Sequence, residues 1–385
     1  MSADASKIIV FMLATTWFNG KRSGWRLALV CSAVFAIAQI TQAAPRTDIE
    51  LNSDWNFVKG DAGIVPENGK IPTPFAFGAG FSNVVSLPHC WGWEDAQKGK
   101  SYYRGPGWYQ RVLGTSIPGI KNPAPGRRYF VRFEAAGSAA DVYFNGQLLG
   151  QHRGAFGAFC FEITKKLSLS GVNSLAVRVS NAEEPDITPL SGDFPVSGGL
   201  YRAVHLIEND DVCFTPTAHA SPGVAWLQSS VSAEQAVLNV NTEISNGTTK
   251  DQPLTLVAKV VDAEGHEVAR SEQKITLKPS VTAPFPIQVT VQKPHLWNGR
   301  KDPYLYRAIV ELRSADAVRD SVEQSLGLRS YYVDPDKGFF LNGQPYHLHG
   351  ANRHQDRADK GWAISQADQD EDIALIKEIG CTVIR

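Results

Sequence analysis

The sequence has 385 residues, 43% of them apolar, with 38 basic against 39 acidic side chains. That length exceeds one ordinary domain and allows two or three, each with a real core. The near-balance of charge supplies neither a basic face nor an acidic tail, so nucleic acid is excluded as a partner.

At the N-terminus, Lys21, Arg22 and Arg26 precede an apolar run from Leu27 to Ile40, which ends in Thr41, Gln42, Ala43 and Ala44. A charged start, an apolar middle and small residues at the end are the layout of a secretory signal, here cleaved near Ala43 or Ala44. Residues 1–44 are therefore expected to be a signal peptide, and the mature protein secreted or periplasmic in a bacterium. The run is short for a membrane span, so no stable membrane insertion is expected after cleavage. An uncleaved anchor is the competing reading. Cys90, Cys160, Cys213 and Cys381 follow without any C-x-x-C spacing, so no zinc site is expected. Export permits disulfides, but spacing alone does not pair them.

From residue 45 to 209 the pattern is almost all β. Short alternating runs recur at 129–133 (YFVRF), 140–144 (ADVYF), 174–179 (SLAVRV) and 203–207 (AVHLI). Glycine-rich and proline-rich turns between them predict a sandwich or jelly roll. Asn145-Gly146 is a strong hairpin signal, because a type I′ turn needs positive φ at both central residues. A second β block spans 210–330, with strands predicted at 236–240, 254–261, 287–291 and 306–312. About seven strands in this length predict an immunoglobulin-like sandwich. Asn246-Gly247-Thr248 fits a glycosylation pattern, and a hairpin turn is the plainer reading.

After residue 331 the pattern changes. Residues 346–349 (YHLH) read as a strand. Ser365 and Asp368 have capping-box spacing and open a helix predicted to run to about Ile379, with Ile373, Ile376 and Ile379 on one face. Gly380 suits the C-cap, and 382–384 (TVI) begins another strand. Strand, helix, strand is a βαβ unit and implies a parallel sheet. One such unit cannot cover its own apolar face, so residues 331–385 are expected to be the start of a larger barrel.

The motifs carry a resemblance to family 2 of the glycoside hydrolases, β-galactosidases in particular. They are 87–89 (LPH) with 103–109 (YRGPGWY), Asn145-Gly146 with 150–152 (GQH), 193–202 (DFPVSGGLYR), 294–297 (PHLW) with 302–306 (DPYLY), and 340–345 (FLNGQP) with 349–355 (HGANRHQ). Each is weak alone, and five in order are specific. The resemblance implies a mainly β chain: a jelly-roll sugar-binding domain, an immunoglobulin-like sandwich, then the first βαβ of a (β/α)8 barrel. It implies a retaining hydrolase of terminal β-galactosides, with β-glucuronidase or β-mannosidase, or a non-catalytic carbohydrate-binding module, as alternatives. In such enzymes both catalytic glutamates lie downstream of the segment matched here. The chain is thus expected to lack them and to be inactive alone. No cofactor is required by the resemblance, which admits an assisting Na+ or Mg2+ ion and a homo-oligomer.

For substrate binding, the resemblance points first to Asp193. Its carboxylate can accept two sugar hydroxyl protons, or hold a monovalent cation; a loop aspartate after Gly192 is the plain reading. His354 and Asn352 follow the first barrel strand, where the loops of such barrels bind substrate. Arg385 would end the next strand, while Arg353 is read as a structural ion pair. Trp362, exposed by pattern, stacks on sugar or packs on the helix. Tyr103 and Trp108 are read at the pocket rim, with core packing favoured for Trp108.

Overall fold

A computed structural model describes residues 46–61, 63–64, 66–71, 83–114, 124–168, 171–189 and 194–385. The expected signal peptide, its cleavage site and Asp193 lie outside the described residues.

The first sandwich stacks two antiparallel sheets. The six-stranded sheet runs Asn83–Val85, Trp55–Lys59, Pro106–Leu113, Asn173–Ser180, Ala139–Phe144 and Gln147–Arg153. The four-stranded sheet runs Thr47–Glu50, Val204–Asp210, Arg127–Phe133 and Phe159–Glu162. Alternation places every second side chain inward. Trp55, Phe57, Tyr109, Phe133, Phe144 and Val177 meet between the sheets. Asn145 and Gly146 close the hairpin between Ala139–Phe144 and Gln147–Arg153 at φ 49° and 77°. Both are positive, as a type I′ turn requires.

The second sandwich has nine strands among the described residues. Gln235–Asn246 is the hub of one sheet, pairing with Val212–Phe214, Val224–Val231, Thr282–Pro284 and Ile287–Gln292. The other sheet runs Glu267–Leu277, Gln252–Val261, Tyr306–Ser314 and Ala317–Leu326. The excess over the predicted seven is made of three-residue strands, too short to give a periodic signal. Asn246 does not form a hairpin turn. It sits where the chain crosses between the two sheets, buried, and its side-chain amide donates to the carbonyls of Lys250, Leu277 and Lys278. Arg46 ties the start of the first sandwich to the second, donating to Asp320 at 2.9 Å and to the Phe214 carbonyl at 2.8 Å.

A small sheet follows, of Tyr331–Asp334, Gly338–Leu341 and Gln344–Pro345. Next come Gly350–Ala351, the helix Gln366–Glu378 and Val383–Ile384, whose strands pair in parallel. The strand predicted at 346–349 therefore begins later. The Thr382 hydroxyl accepts the His349 amide at 2.9 Å in place of a ladder carbonyl, so the ladder opens only at Gly350. Ser365 and Asp368 form the capping box reciprocally. Ile373 and Ile379 are exposed on the helix.

Candidate active site

The ends of the two parallel strands build the site. Arg385 donates its amide to the Ala351 carbonyl at 3.0 Å, and Arg353 donates its amide to the Arg385 carbonyl at 2.9 Å. This pair of bonds sets Arg385 beside Asn352, and laterally paired residues share a face of the sheet. His354, two residues on, follows the same alternation. Asn352, His354 and Arg385 thus gather at the C-terminal end of the strands, all three exposed. Arg353 takes the opposite face. Its guanidinium donates twice to Asp372 on the helix, at 3.0 and 2.7 Å.

Charge clamps the loop that carries His354. Arg357 donates to Asp368 at 3.0 Å, Glu371 at 2.7 Å and Asp372 at 2.6 Å. Lys360 reaches Asp368 at 2.7 Å. The Lys360 ammonium, then the Ser365 amide and hydroxyl, hold the Asp368 carboxyl well below the usual carboxylate range. Arg357, then Arg353, lowers Asp372 likewise. Hydrogen bonds to the charged form favour it, so these acids stay ionised.

The same loop is anchored in the first sandwich. Trp362, read as exposed by pattern, is only 4% exposed. Its ring lies 5.2 Å from Tyr201 and 5.6 Å from Phe156, in a cluster with Cys90, Ala135 and Val196. Trp362 is therefore an anchor and not a sugar platform, because a ring at a domain junction gains more from burial than from water. Gly361 makes the approach feasible. It sits at φ +55°, and a Cβ there would lie 2.7 Å from the Cβ of Trp93.

The described segment that begins at Phe194 is held from behind. Phe194 meets the His354 ring edge-on at 6.2 Å. The side chain of Asn181, fully buried, donates to the Val196 carbonyl at 2.8 Å and accepts from the Gly105 amide at 2.9 Å and the Trp91 indole at 3.2 Å. Arg202 donates to Gln355 at 3.2 Å. Tyr103 does not reach this segment. Its hydroxyl donates to the Pro106 carbonyl at 3.0 Å, and Lys59 lies over its ring. The neighbouring Tyr102 touches the segment instead, accepting from the Val196 amide at 3.0 Å. Successive extended residues face opposite sides, so a one-residue error exchanges contact for none. Trp108 is fully buried against Tyr143. Asn181 and Tyr102 carry no motif that would have flagged them, whereas Arg202 closes the 193–202 motif. The acids at 368 and 372 do, having the i, i+4 spacing of one helix face.

Among the described residues no three carboxylate, imidazole or thiol groups converge on a metal position. Cys90, Cys160, Cys213 and Cys381 are all unpaired thiols.

Residues 224–329 match the model of glycosyl hydrolases family 2, and residues 334–385 match that family's TIM barrel domain. A β-glucuronidase of Bacteroides fragilis is 38% identical over 376 residues, which are 96% of this chain and 50% of that protein. A β-galactosidase of Bacteroides ovatus is 28% identical over 91% of this chain and 39% of its own length. Among solved structures, Bacteroides uniformis β-glucuronidase 2, covalently bound to cyclophellitol-6-carboxylate aziridine, superposes with a TM-score of 0.80 at 34% identity. That match covers 88% of this chain and 39% of the other. The chain spans about half the length, or less, of these relatives.

Proposed function

The chain belongs to family 2 of the glycosyl hydrolases, and from that premise we propose that it forms the sugar-recognising front of a retaining β-glycosidase whose first substrate class is terminal β-glucuronides. β-Galactosides, the expectation from sequence motifs, are the second reading. The observation that favours glucuronides is the 38% identity to a β-glucuronidase across nearly the whole chain, against 28% to a β-galactosidase.

The geometry suits a pyranose held at the strand ends. His354 and Asn352 donate to ring hydroxyls, and Asp193, outside the described residues, is the acceptor that the family resemblance implies. The Arg385 guanidinium is a two-pronged donor, matched to a uronate carboxylate. Retaining chemistry uses two carboxylates roughly 5–5.5 Å apart, one as nucleophile and one as acid/base. No carboxylate of this chain is assigned either role. The helix carboxylates Asp368, Glu371 and Asp372 are engaged by Arg357, Lys360 and Arg353.

The test is turnover of 4-nitrophenyl β-glucuronide and 4-nitrophenyl β-galactoside by the protein purified from its native source. We expect kcat/KM to favour the glucuronide by at least about a hundredfold, since a site built for a carboxylate rejects a ligand lacking it. The reverse preference would establish the galactoside reading. No release from either, with active relatives as controls, would overturn both. Replacing His354 by Ala should cut kcat/KM by about a hundredfold or more, the scale of one transition-state donor.

A further inference from the structure

A cavity of about 250 Å³ is lined by Trp93, Gln97, Pro195, Ser197, Asp356 and Trp362 among others. It lies between three elements: the short helix Trp93–Ala96, the segment after Asp193, and the loop that leaves the first barrel strand. Pro195 follows Phe194 directly, and Asp356 lies two residues beyond His354, so the cavity adjoins the candidate active site without being part of it.

Three of its polar side chains, Gln97, Asp356 and Ser197, have no strong partner among the described residues. Gln97 and Asp356 are exposed, and neither side chain has a hydrogen bond or ion pair among the described residues. Ser197 is 1% exposed and its hydroxyl has no hydrogen-bond partner; the Cys90 thiol beside it is at most a weak one. Buried hydroxyls without a partner are rare in native proteins, and one lining a cavity marks a place for a ligand or water. The charge balance narrows the choice. Arg357, which also lines the cavity, is committed to Asp368, Glu371 and Asp372. The unneutralised charge is therefore the Asp356 carboxylate, which repels anions and accepts from hydroxyls. Trp93 adds an apolar ring, fixed by the Gly361 backbone against it. The volume falls below the ~300–1,000 Å³ of drug-sized sites, which leaves room for a single ring.

We propose that this cavity is a second sugar subsite, taking one neutral pyranose of an oligosaccharide whose terminal residue lies at Asn352, His354 and Arg385. The identity of that oligosaccharide rests on the glycosidase reading; the binding of a neutral ring does not. The substrate would then be a glycan and not a small aryl conjugate.

The experiment is calorimetric titration of the 385-residue chain with lactose and with cellobiose, repeated on Trp93→Ala, Asp356→Asn and His354→Ala. Saturable binding is expected at millimolar concentration. Trp93→Ala and Asp356→Asn should each weaken it about fivefold to tenfold, the scale of one aromatic contact or one charged acceptor. His354→Ala should weaken it less than Asp356→Asn does, since it removes only a contact to the terminal ring. Asp356 is exposed, so its change keeps the test alive if Trp93→Ala misfolds. Absence of binding to either sugar overturns the proposal. So does binding lost with His354→Ala and unaffected by Asp356→Asn, which would place the sugar at the strand ends alone. Glycoside turnover by the protein from its native source, without sugar binding at Trp93, refutes the subsite and spares the enzyme; sugar binding by the chain with no turnover by the native protein does the opposite.

Discussion

The two sandwiches bury similar numbers of side chains by different chemistry. The first is packed with rings, among them Trp55, Phe57, Trp91, Tyr109, Tyr129, Phe133, Phe144 and Phe159. The second is aliphatic, with Phe214 and Tyr306 as its only fully or nearly fully buried rings among the described residues. Rings bring directional bonds with them. The Trp55 indole donates to the Leu51 carbonyl, the Trp91 indole to Asn181, and the Tyr109 hydroxyl pairs with His89 at 2.7 Å. Burial of Leu, Val and Ile is non-directional and roughly proportional to area. A domain that must hold irregular loops against a site therefore gains from rings and buried amides. A domain that spaces and supports can rely on branched aliphatics filling two flat sheet faces.

The largest test of that contrast is Asn181→Ala in the first sandwich. It removes the acceptor of the Trp91 and Gly105 N–H groups and leaves them buried. A loss of about 4 kcal/mol in urea unfolding is expected, the sum of unsatisfied buried groups. A loss below about 1 kcal/mol would show that the aromatic core holds its loops without directed bonds. Next in size is Leu256→Ala, fully buried in the aliphatic core. About 3 kcal/mol should go, from lost burial and the cavity left behind. The near-UV circular dichroism of the first sandwich should be unchanged below the transition, and a change there would mean that the cores are not independent.

The smallest effect is on pH dependence. Burial lowers His89 from 6.5 to about 4. The unfolded chain binds the extra proton between those values, so stability is lost as pH falls from 6.5 towards 4, by about 2 kcal/mol. Hydrogen bonds to Asp48, then Glu134, raise His205 from 6.5 to about 9. Its contribution is complete below 6.5 and is lost as pH rises through 9, by about 1 kcal/mol after solvent screening. The midpoint of urea unfolding should peak near pH 6.5. His205→Gln should flatten the alkaline side and leave the acid side intact; an unchanged alkaline slope would refute this origin. His89 and His205 both belong to the first sandwich, so this pH dependence sharpens the contrast with the second.

Local signals were legible wherever a few neighbouring residues decide the structure. Asn145-Gly146 specifies its own turn, and Ser365 with Asp368 specifies its own cap. Alternation marked most long strands of both sandwiches, because one face of each is buried along its whole length. The parallel pairing of the last two strands followed from the strand, helix, strand pattern. Legibility failed where distant segments meet. Trp362 stands in a short loop segment between Gly361 and Ala363, with no periodic pattern to report the apolar partners it has in space, Cys90, Val196 and Tyr201. Tyr102 and Tyr103 differ by one position, and only the path of the segment around Val196 decides which of them touches it.

The sequence by itself determined the order of domains, the turns, the caps and the ion pair expected of Arg353, because each depends on short-range periodicity or a nearby partner. Only the tertiary structure decided that Arg385 stands beside Asn352 across 33 residues, that Asn181 anchors the segment after Asp193, and that Trp93, Ser197 and Asp356 share one cavity. Those contacts join segments whose separation along the chain carries no periodic trace, and strand pairing, buried hydrogen bonds and loop packing bring them together.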